Sequence, residues 1–397
     1  MAVYLDHAAT TPMLPAAIAA YTEAMSLVGN PASIHSQGQN AKRMLEEARE
    51  AVAASVGCDP IEVVFTSSGT ESVNLALKGL FWARSPRRRI LVPGGEHHAT
   101  MDTVEWLAAH DSAVIEWLPV DHDGLVDLAA LAAAIERDPD GIALVTLLAA
   151  NNEVGTIQPV AEVAALAAQH GIPVHVDAVS AYGHLPIDFS ALRAAGVSAL
   201  SISAHKIGGP VGIAALVLSR TATVVPLLHG GGQQRGVRSG TQDVAAAVAF
   251  ATAASVATGD LDAENRRLAG LRDRLIAGVQ GSVPGAVLNG ASGDGRLPGN
   301  AHFSFPGCEG DSLLFLLDAA GVSVSTGSAC QAGIPEPSHV LRAMGRSEDE
   351  ARGALRVTLG RTTTDADVDA FLAALPAAHA QAARAGLAAR APAPFRE

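Results

Sequence analysis

The 397-residue chain holds only three lysines, Lys42, Lys78 and Lys206, so nearly all of its positive charge is arginine. Lys206 closes the run Leu200-Ser201-Ile202-Ser203-Ala204-His205-Lys206, which reads as a buried strand, and Gly208-Gly209-Pro210 stops any helix from following. An amine at the C-terminal end of such a strand sits where open α/β sheets bind ligands. Desolvation there lowers its pKa into the range that Schiff-base chemistry uses. Lys42 and Lys78 lie in helical patterns and read as solvated. Asp177 ends a second apolar run, Pro173-Val174-His175-Val176-Asp177. Buried alone, its carboxylate is prohibitive. It either caps the following turn or, with Lys206 nearby, faces a protonated pyridine nitrogen and preserves the electron-sink character of that ring.

Three more polar stretches follow apolar strands. Ser67-Ser68-Gly69-Thr70-Glu71-Ser72 opens a helix, where backbone N–H groups and small hydroxyls form a phosphate site. The same pattern is also an ordinary helix cap. Ser203 and His205 could add phosphate donors beside the lysine. Asn151-Asn152-Glu153-Val154-Gly155 supplies amide donors or is simply a turn. In Gly95-Glu96-His97-His98 one histidine could shuttle a proton or stack on a planar ring; two adjacent histidines do not share a helix face, so they are not a metal pair. Cys330 lies in the small-residue run Ser325-Thr326-Gly327-Ser328-Ala329-Cys330-Gln331-Ala332-Gly333, a setting for an accessible thiol. Cys58, beside Gly57, and Cys308, in Pro306-Gly307-Cys308, have no comparable partners.

The elements that must position these groups follow from the pattern of β-branched runs alternating with helical stretches, the mark of βαβ units and a mostly parallel sheet. Strands are expected at 62–66, 89–92, 113–118, 142–148, 173–177, 199–203 and 213–218, and helices at 41–56, 71–81, 100–110, 128–137 and 160–170. After Gly240 come two long helices, 244–257 and 261–279, and then a smaller α/β unit. That unit has strands at 301–305 and 355–359, a helix at 312–320 and a loop over 326–337. The tail from about Leu387 reads as frayed. With 49% apolar and 17% charged residues the chain is neither disordered nor fibrous. Its net charge of −13 argues against a nucleic-acid or membrane-surface partner. Three scattered cysteines exclude a disulfide framework, the N-terminus lacks the regions of a secretory signal, and the 244–257 run is too short to span a bilayer. A cytoplasmic protein is expected.

Taken together, the segments resemble the cysteine desulfurases of the NifS/IscS type, within the fold-type I pyridoxal-phosphate enzymes. The resemblance runs from Tyr4-Leu5-Asp6-His7-Ala8-Ala9-Thr10-Thr11-Pro12 to Leu355-Arg356-Val357-Thr358-Leu359-Gly360. Between them lie Gly29-Asn30-Pro31, Gly69-Thr70-Glu71-Ser72, Asn151-Asn152-Glu153, Ser203-Ala204-His205-Lys206, Arg238-Ser239-Gly240-Thr241 and Gly327-Ser328-Ala329-Cys330, in matching order. It implies a large domain, residues 13–260, with a mostly parallel seven-stranded sheet flanked by helices. A smaller α/β domain, 1–12 plus 261–397, would carry the cysteine loop, which resembles the long loop of the IscS/NifS group. It further implies that Lys206 holds pyridoxal phosphate, Asp177 pairs with the pyridinium nitrogen, His97 lies over the ring and Asn152 near it. Gly69, Thr70, Ser203 and His205 would hold the phosphate, with Thr241 reaching the phosphate of a neighbouring subunit in a homodimer. Arg356 and Asn30 would bind the substrate carboxylate. The implied reaction converts L-cysteine to L-alanine, leaving sulfane sulfur on Cys330 for an acceptor such as an iron–sulfur scaffold or a tRNA-thiolation protein.

Three positions depart from the family pattern. Ser180 stands where Gln is usual, which alters the donor to the cofactor's phenolic oxygen; Ala204 replaces Gly, and Gln331 replaces Thr or Ser. A selenocysteine lyase, an aminotransferase or a non-catalytic pyridoxal-phosphate scaffold are the competing readings. Cys330 argues against the aminotransferase, and the set Lys206, Cys330 and Arg356 against the scaffold.

Overall fold

The computed structural model describes residues 2–327 and 337–390. The short β1 (Val3–Tyr4) is followed by seven strands of one sheet: β2 (Val63–Thr66), β3 (Arg89–Pro93), β4 (Val114–Leu118), β5 (Ile142–Leu148), β6 (Val174–Asp177), β7 (Val197–Ser203) and β8 (Ala214–Leu218). All seven expected strands form, with ends shifted by at most two residues. Their order is β2-β8-β7-β6-β5-β3-β4. Only β8 runs antiparallel to its neighbours.

The runs read as nearly unbroken apolar because both faces are covered. On one face Val145, Leu147, Val174 and Val176 join a core with the helices Ser36–Ser55, Leu128–Arg137, Val160–Ala168 and Val244–Gly259. On the other, Ile90, Val92 and Leu144 pack under the helices Gly69–Ala83 and His98–Asp111. Phe250, fully buried on helix Val244–Gly259, meets Phe65 and Tyr182 edge-on. That apolar helix is therefore core; no single helix among the described residues is long and apolar enough to cross a membrane.

A second core gathers Leu5, Leu275, Phe303, Phe305, Leu317, Leu355 and Phe371. Its sheet has the order β12-β10-β9, from β9 (Val287–Leu288), β10 (Asn300–Ser304) and β12 (Ala354–Thr358), while β1 pairs in parallel with β11 (Val322–Ser323). Five helices among the described residues escape the periodicity: the short Phe189–Ala195, His339–Ala343 and Glu348–Arg352, and the longer Pro15–Met25 and Asp365–Arg390. Pro15–Met25 buries only Ala17 and Ala24 and so has no apolar stripe to read. Asp365–Arg390 continues past Leu387, where a frayed tail is expected. Cys330 and Gln331 lie outside the described residues, as do 391–397. Lys42 is exposed, but Lys78 is not simply solvated: its ammonium stands 4.0 Å from the centroid of the Trp106 ring, a cation–π contact that a polar-face reading overlooks.

Within the sheet, His175 is fully buried with Nδ1 at 2.9 Å from Thr146 Oγ1 and Nε2 at 2.9 Å from Ser201 Oγ. Burial holds the ring neutral and drives its pKa down to about 3 from 6.5. The unfolded chain therefore takes up this proton first as pH falls, so acidification through that window favours unfolding, by up to about 1.4 kcal/mol per pH unit for one proton. In His175→Gln the slope of unfolding free energy against pH, from denaturant titrations between about pH 4 and 6, should drop by about one proton. An unchanged slope would mean that His175 is not buried as a neutral ring.

Candidate active site

Chain order along the sheet reverses between β3 and β5, because β4 lies outside β3 and β5 returns on its other side. A crevice opens at such a switch point, beyond the carboxyl ends of the strands. Here it is a cavity of about 420 Å³ lined by Gly69, Thr70, His97, Asn152, Asp177, Ser180, His205, Lys206, Ser325, Gly327 and Arg356, among others. Most of the residues singled out in the sequence thus converge on one place.

Lys206 ends a short turn, Ala204–Lys206, that follows β7. Its Nζ donates to the carbonyl of Ala8 and, at 2.9 Å, to that of Ala9. Burial and the repulsion of Arg356 lower its pKa to about 8, against the pull of Asp6 and Asp177. Asp177 ends β6, and its Oδ1 accepts the Val179 N–H at 3.0 Å. Burial pushes that carboxyl up to about 6 even though Val179 and Lys206 oppose the shift. Behind it Glu96 is completely buried; one oxygen accepts the Leu148 N–H at 2.9 Å and the other has no partner. Burial, eased by that hydrogen bond and reinforced by Asp177, raises the Glu96 carboxyl well above its usual range.

His97 caps helix His98–Asp111: Nδ1 accepts the Ala99 N–H at 3.0 Å, which leaves the ring proton on Nε2. Burial first, and then the charge of Lys206, lower its pKa to about 4. His205 is likewise lowered to about 4 by burial and Lys206, and lies 3.2 Å from the Thr10 hydroxyl. At the start of helix Gly69–Ala83, Ser68 Oγ accepts the Glu71 N–H, while the Glu71 carboxylate is bound by Ser67 and by Arg238. The acid of the cap thus faces away, and the first N–H groups of the helix stay open to an anion. A Cβ on Gly69 would come within 2.9 Å of Val179 Cγ2 and 3.7 Å of Ser203 Cβ, so only glycine lets these elements close together. The buried Ser203 hydroxyl has no hydrogen-bond partner, which suits a donor awaiting a ligand.

Arg356, on β12, comes from the second core. Its Nη1 donates to Asn152 O at 2.8 Å and its Nη2 to Asp6 Oδ1 at 3.0 Å, while the buried Nε has no partner. A planar guanidinium with a free N–H suits a carboxylate. Three expected residues do not line the cavity within one chain: Ser203 is buried at the end of β7, and two others are exposed. Thr241 is exposed, and Asn30 is exposed with its side chain capping the Ala32 N–H at 2.9 Å. The thiol of Cys58 is pushed up to about 12 by burial and the nearby Glu62 and Asp59, and burial raises Cys308 too, so neither resembles a nucleophile. Sequence reasoning missed the work of Asp6, Ala8 and Ala9. Two of these act through backbone carbonyls, for which alanine gives no signal.

The model of the aminotransferase class-V family matches residues 3–371. An IscS-like cysteine desulfurase of Mycobacterium tuberculosis is 54% identical over 97% of this chain and 98% of its own. A cysteine desulfurase IscS of Dictyoglomus turgidum is 41% identical over 92% of each. Among solved structures a NifS-like protein superposes with a TM-score of 0.87 at 35% identity, covering 95% of this chain and 99% of that one. With a lysine, an acid and an arginine gathered at one switch point and likeness running along nearly its whole length, the chain belongs to the aminotransferase class-V family, among the IscS-like cysteine desulfurases.

Proposed function

We propose that the chain is a pyridoxal-phosphate-dependent cysteine desulfurase that turns L-cysteine into L-alanine and keeps the sulfur as a persulfide on Cys330. The convergence of Lys206, Asp177 and Arg356 on one cavity carries this reading. The class-V family uses pyridoxal phosphate, and the residues fit it. Gly69, Thr70, Ser203 and His205 would hold the phosphate, Asp177 the pyridinium nitrogen, Asn152 and Ser180 the phenolic side, and Lys206 the reactive carbon. When bound, the cofactor supplies an electron sink for the substrate α-carbon.

The chain's own groups do the rest. Arg356 orients the substrate carboxylate through the unpartnered Nε. Lys206, with a pKa near 8, is partly neutral around neutral pH and able to take the α-proton. His97, neutral with its proton on Nε2, can hold or pass a proton beside the leaving group. The Cys330 thiolate attacks the substrate sulfur; an S–S bond forms as the C–S bond breaks, and the electron pair stays with the three-carbon product, which a proton then completes. Residues 13–260 form the cofactor-binding unit, and 1–12 with 261–397 the unit that brings Arg356 and Cys330. Asn30 binds the substrate carboxylate with Arg356, and Thr241, exposed in one chain, reaches the phosphate site of the neighbouring subunit in a homodimer. The persulfide passes to a cytoplasmic acceptor protein, an iron–sulfur scaffold or a tRNA-thiolation protein.

Lys206→Ala should lose the visible absorbance of the bound cofactor together with all turnover. A variant that kept both would sink the cofactor assignment. Cys330→Ser should keep that absorbance and still perturb it on adding cysteine, yet release no alanine and carry no persulfide by mass spectrometry; full activity, with persulfide on Cys58 or Cys308, would show the wrong nucleophile. The wild type should sediment as a dimer, and Thr241→Ala should retain cofactor less well on dialysis. A fully active monomer would overturn the shared site.

A further inference from the structure

Two cations of the site share one carboxylate, and it belongs to Asp6. Arg356 gives its Nη2 to Asp6 Oδ1 at 3.0 Å and its Nη1 to the Asn152 carbonyl at 2.8 Å, and the side chains of the ion pair are only 7% and 19% exposed. Asp6 also opens the turn that holds the amine. Its own carbonyl accepts the Ala9 N–H at 3.0 Å and the Tyr4 hydroxyl at 3.0 Å, which fixes the backbone whose Ala8 and Ala9 carbonyls receive Lys206. The same Tyr4 hydroxyl stands 2.8 Å from the Thr10 carbonyl, at the far end of the turn. The Asp6 backbone is therefore anchored whether or not Arg356 is engaged.

Next to burial, the repulsion of Arg356 is what lowers the Lys206 pKa most, and Asp6, ahead of Asp177, leads the groups that raise it. Asp6 is also the one acid among the described residues that pairs with Arg356. The remaining groups around the amine add no charge that varies near neutral pH. His97 and His205 line the large cavity with it and His7 and His184 a smaller one, and burial holds all four imidazoles near 4. Glu264 and Arg361 border it from a further recess and are each paired, with Arg267 and Asp260.

We propose that Asp6 is a positioning residue for the reaction, a built-in carboxylate that occupies the Arg356 guanidinium in place of a substrate carboxylate and balances the Lys206 amine against it. This rests on the desulfurase reading. An incoming carboxylate meets a guanidinium already partly neutralised, so Asp6 weakens its binding, and the same charge restrains the amine from losing its proton. Removing the charge while keeping the oxygen therefore tightens carboxylate binding and lowers the pH at which Lys206 gives up its proton. An ion pair that served structure alone would act the other way on binding, since its loss would loosen Arg356.

The test compares wild type with Asp6→Asn and Asp6→Glu. Propionate is the probe on the cofactor-loaded enzyme, because it brings a carboxylate and neither amine nor thiol, and its binding is read from the broadening of its methyl NMR signal. Lys206 is read in the full chain freed of cofactor, from the pH dependence of its acetylation by mass spectrometry, with the exposed Lys42 as internal reference. In Asp6→Asn propionate should bind about threefold tighter or more, and the Lys206 midpoint should fall by about half a pH unit or more. Asp6→Glu, which keeps the charge, should stay within about twofold of wild type in binding and about 0.2 unit in midpoint. In the wild type itself saturating propionate should raise the Lys206 midpoint, because its charge opposes that of Arg356; this measurement needs no variant. Weaker or unchanged propionate binding in Asp6→Asn, an unmoved Lys206 midpoint in either experiment, or an Asp6→Glu that behaves as Asp6→Asn would overturn the proposal. A loaded wild type that makes no alanine from cysteine would instead overturn the desulfurase reading, and neither readout here uses turnover.

Discussion

The site depends on keeping a lysine amine out of water without burying it unpaired. Two backbone carbonyls, from Ala8 and Ala9, do this. A carbonyl pair stabilises the ammonium by hydrogen bonding but brings no full negative charge, so it leaves the amine with a depressed pKa where a carboxylate partner would raise it. Asp6 sits close enough to lend its charge, yet it is engaged by Arg356. The arrangement leaves Lys206 near 8, where loss of its proton is accessible at ordinary pH.

That requirement ties the two cores together. The segment that supplies the carbonyls begins with Leu5 in the smaller core and passes Asp6, which bridges to Thr358. It then crosses to the large sheet, where the Thr11 N–H donates to His205 O and the Leu14 N–H to Gly208 O. Ten residues, 5–14, thus carry the amine's partners, the arginine's counter-ion and the link between cores. Loosening the second core would be felt at Lys206 without any change in the sheet that bears it.

Much of this was legible in the residues. The seven strands were readable because parallel strands covered on both faces carry continuous apolar runs, and Lys206 and Asp177 stood out as charges ending such runs. Pro15–Met25 was not, since a helix that buries two alanines leaves no periodic stripe. Glu96 was hidden for a different reason. Beside two histidines it passes for a helix-start acid, and only the fold reveals that it lies under Leu148 with one oxygen unpartnered. Thr241 and Asn30 drew attention through family likeness alone, and one chain gives them no place in the cavity.

The division of groups between rigid and peripheral positions also has a physical cause. Asp177 ends β6, and Lys206 closes the turn that follows the adjacent β7; an amine and an acid keep useful properties when buried near each other. A thiol does not. Burial near acids takes Cys58 to about 12, so a core position would leave scarcely any thiolate at neutral pH. The amine and the acid thus line the cavity from the sheet, and Arg356, on β12, lines it from the second core. Arg356 is itself fixed from two sides, since its backbone exchanges hydrogen bonds with Ser325 while its guanidinium donates to the Asn152 carbonyl and to Asp6.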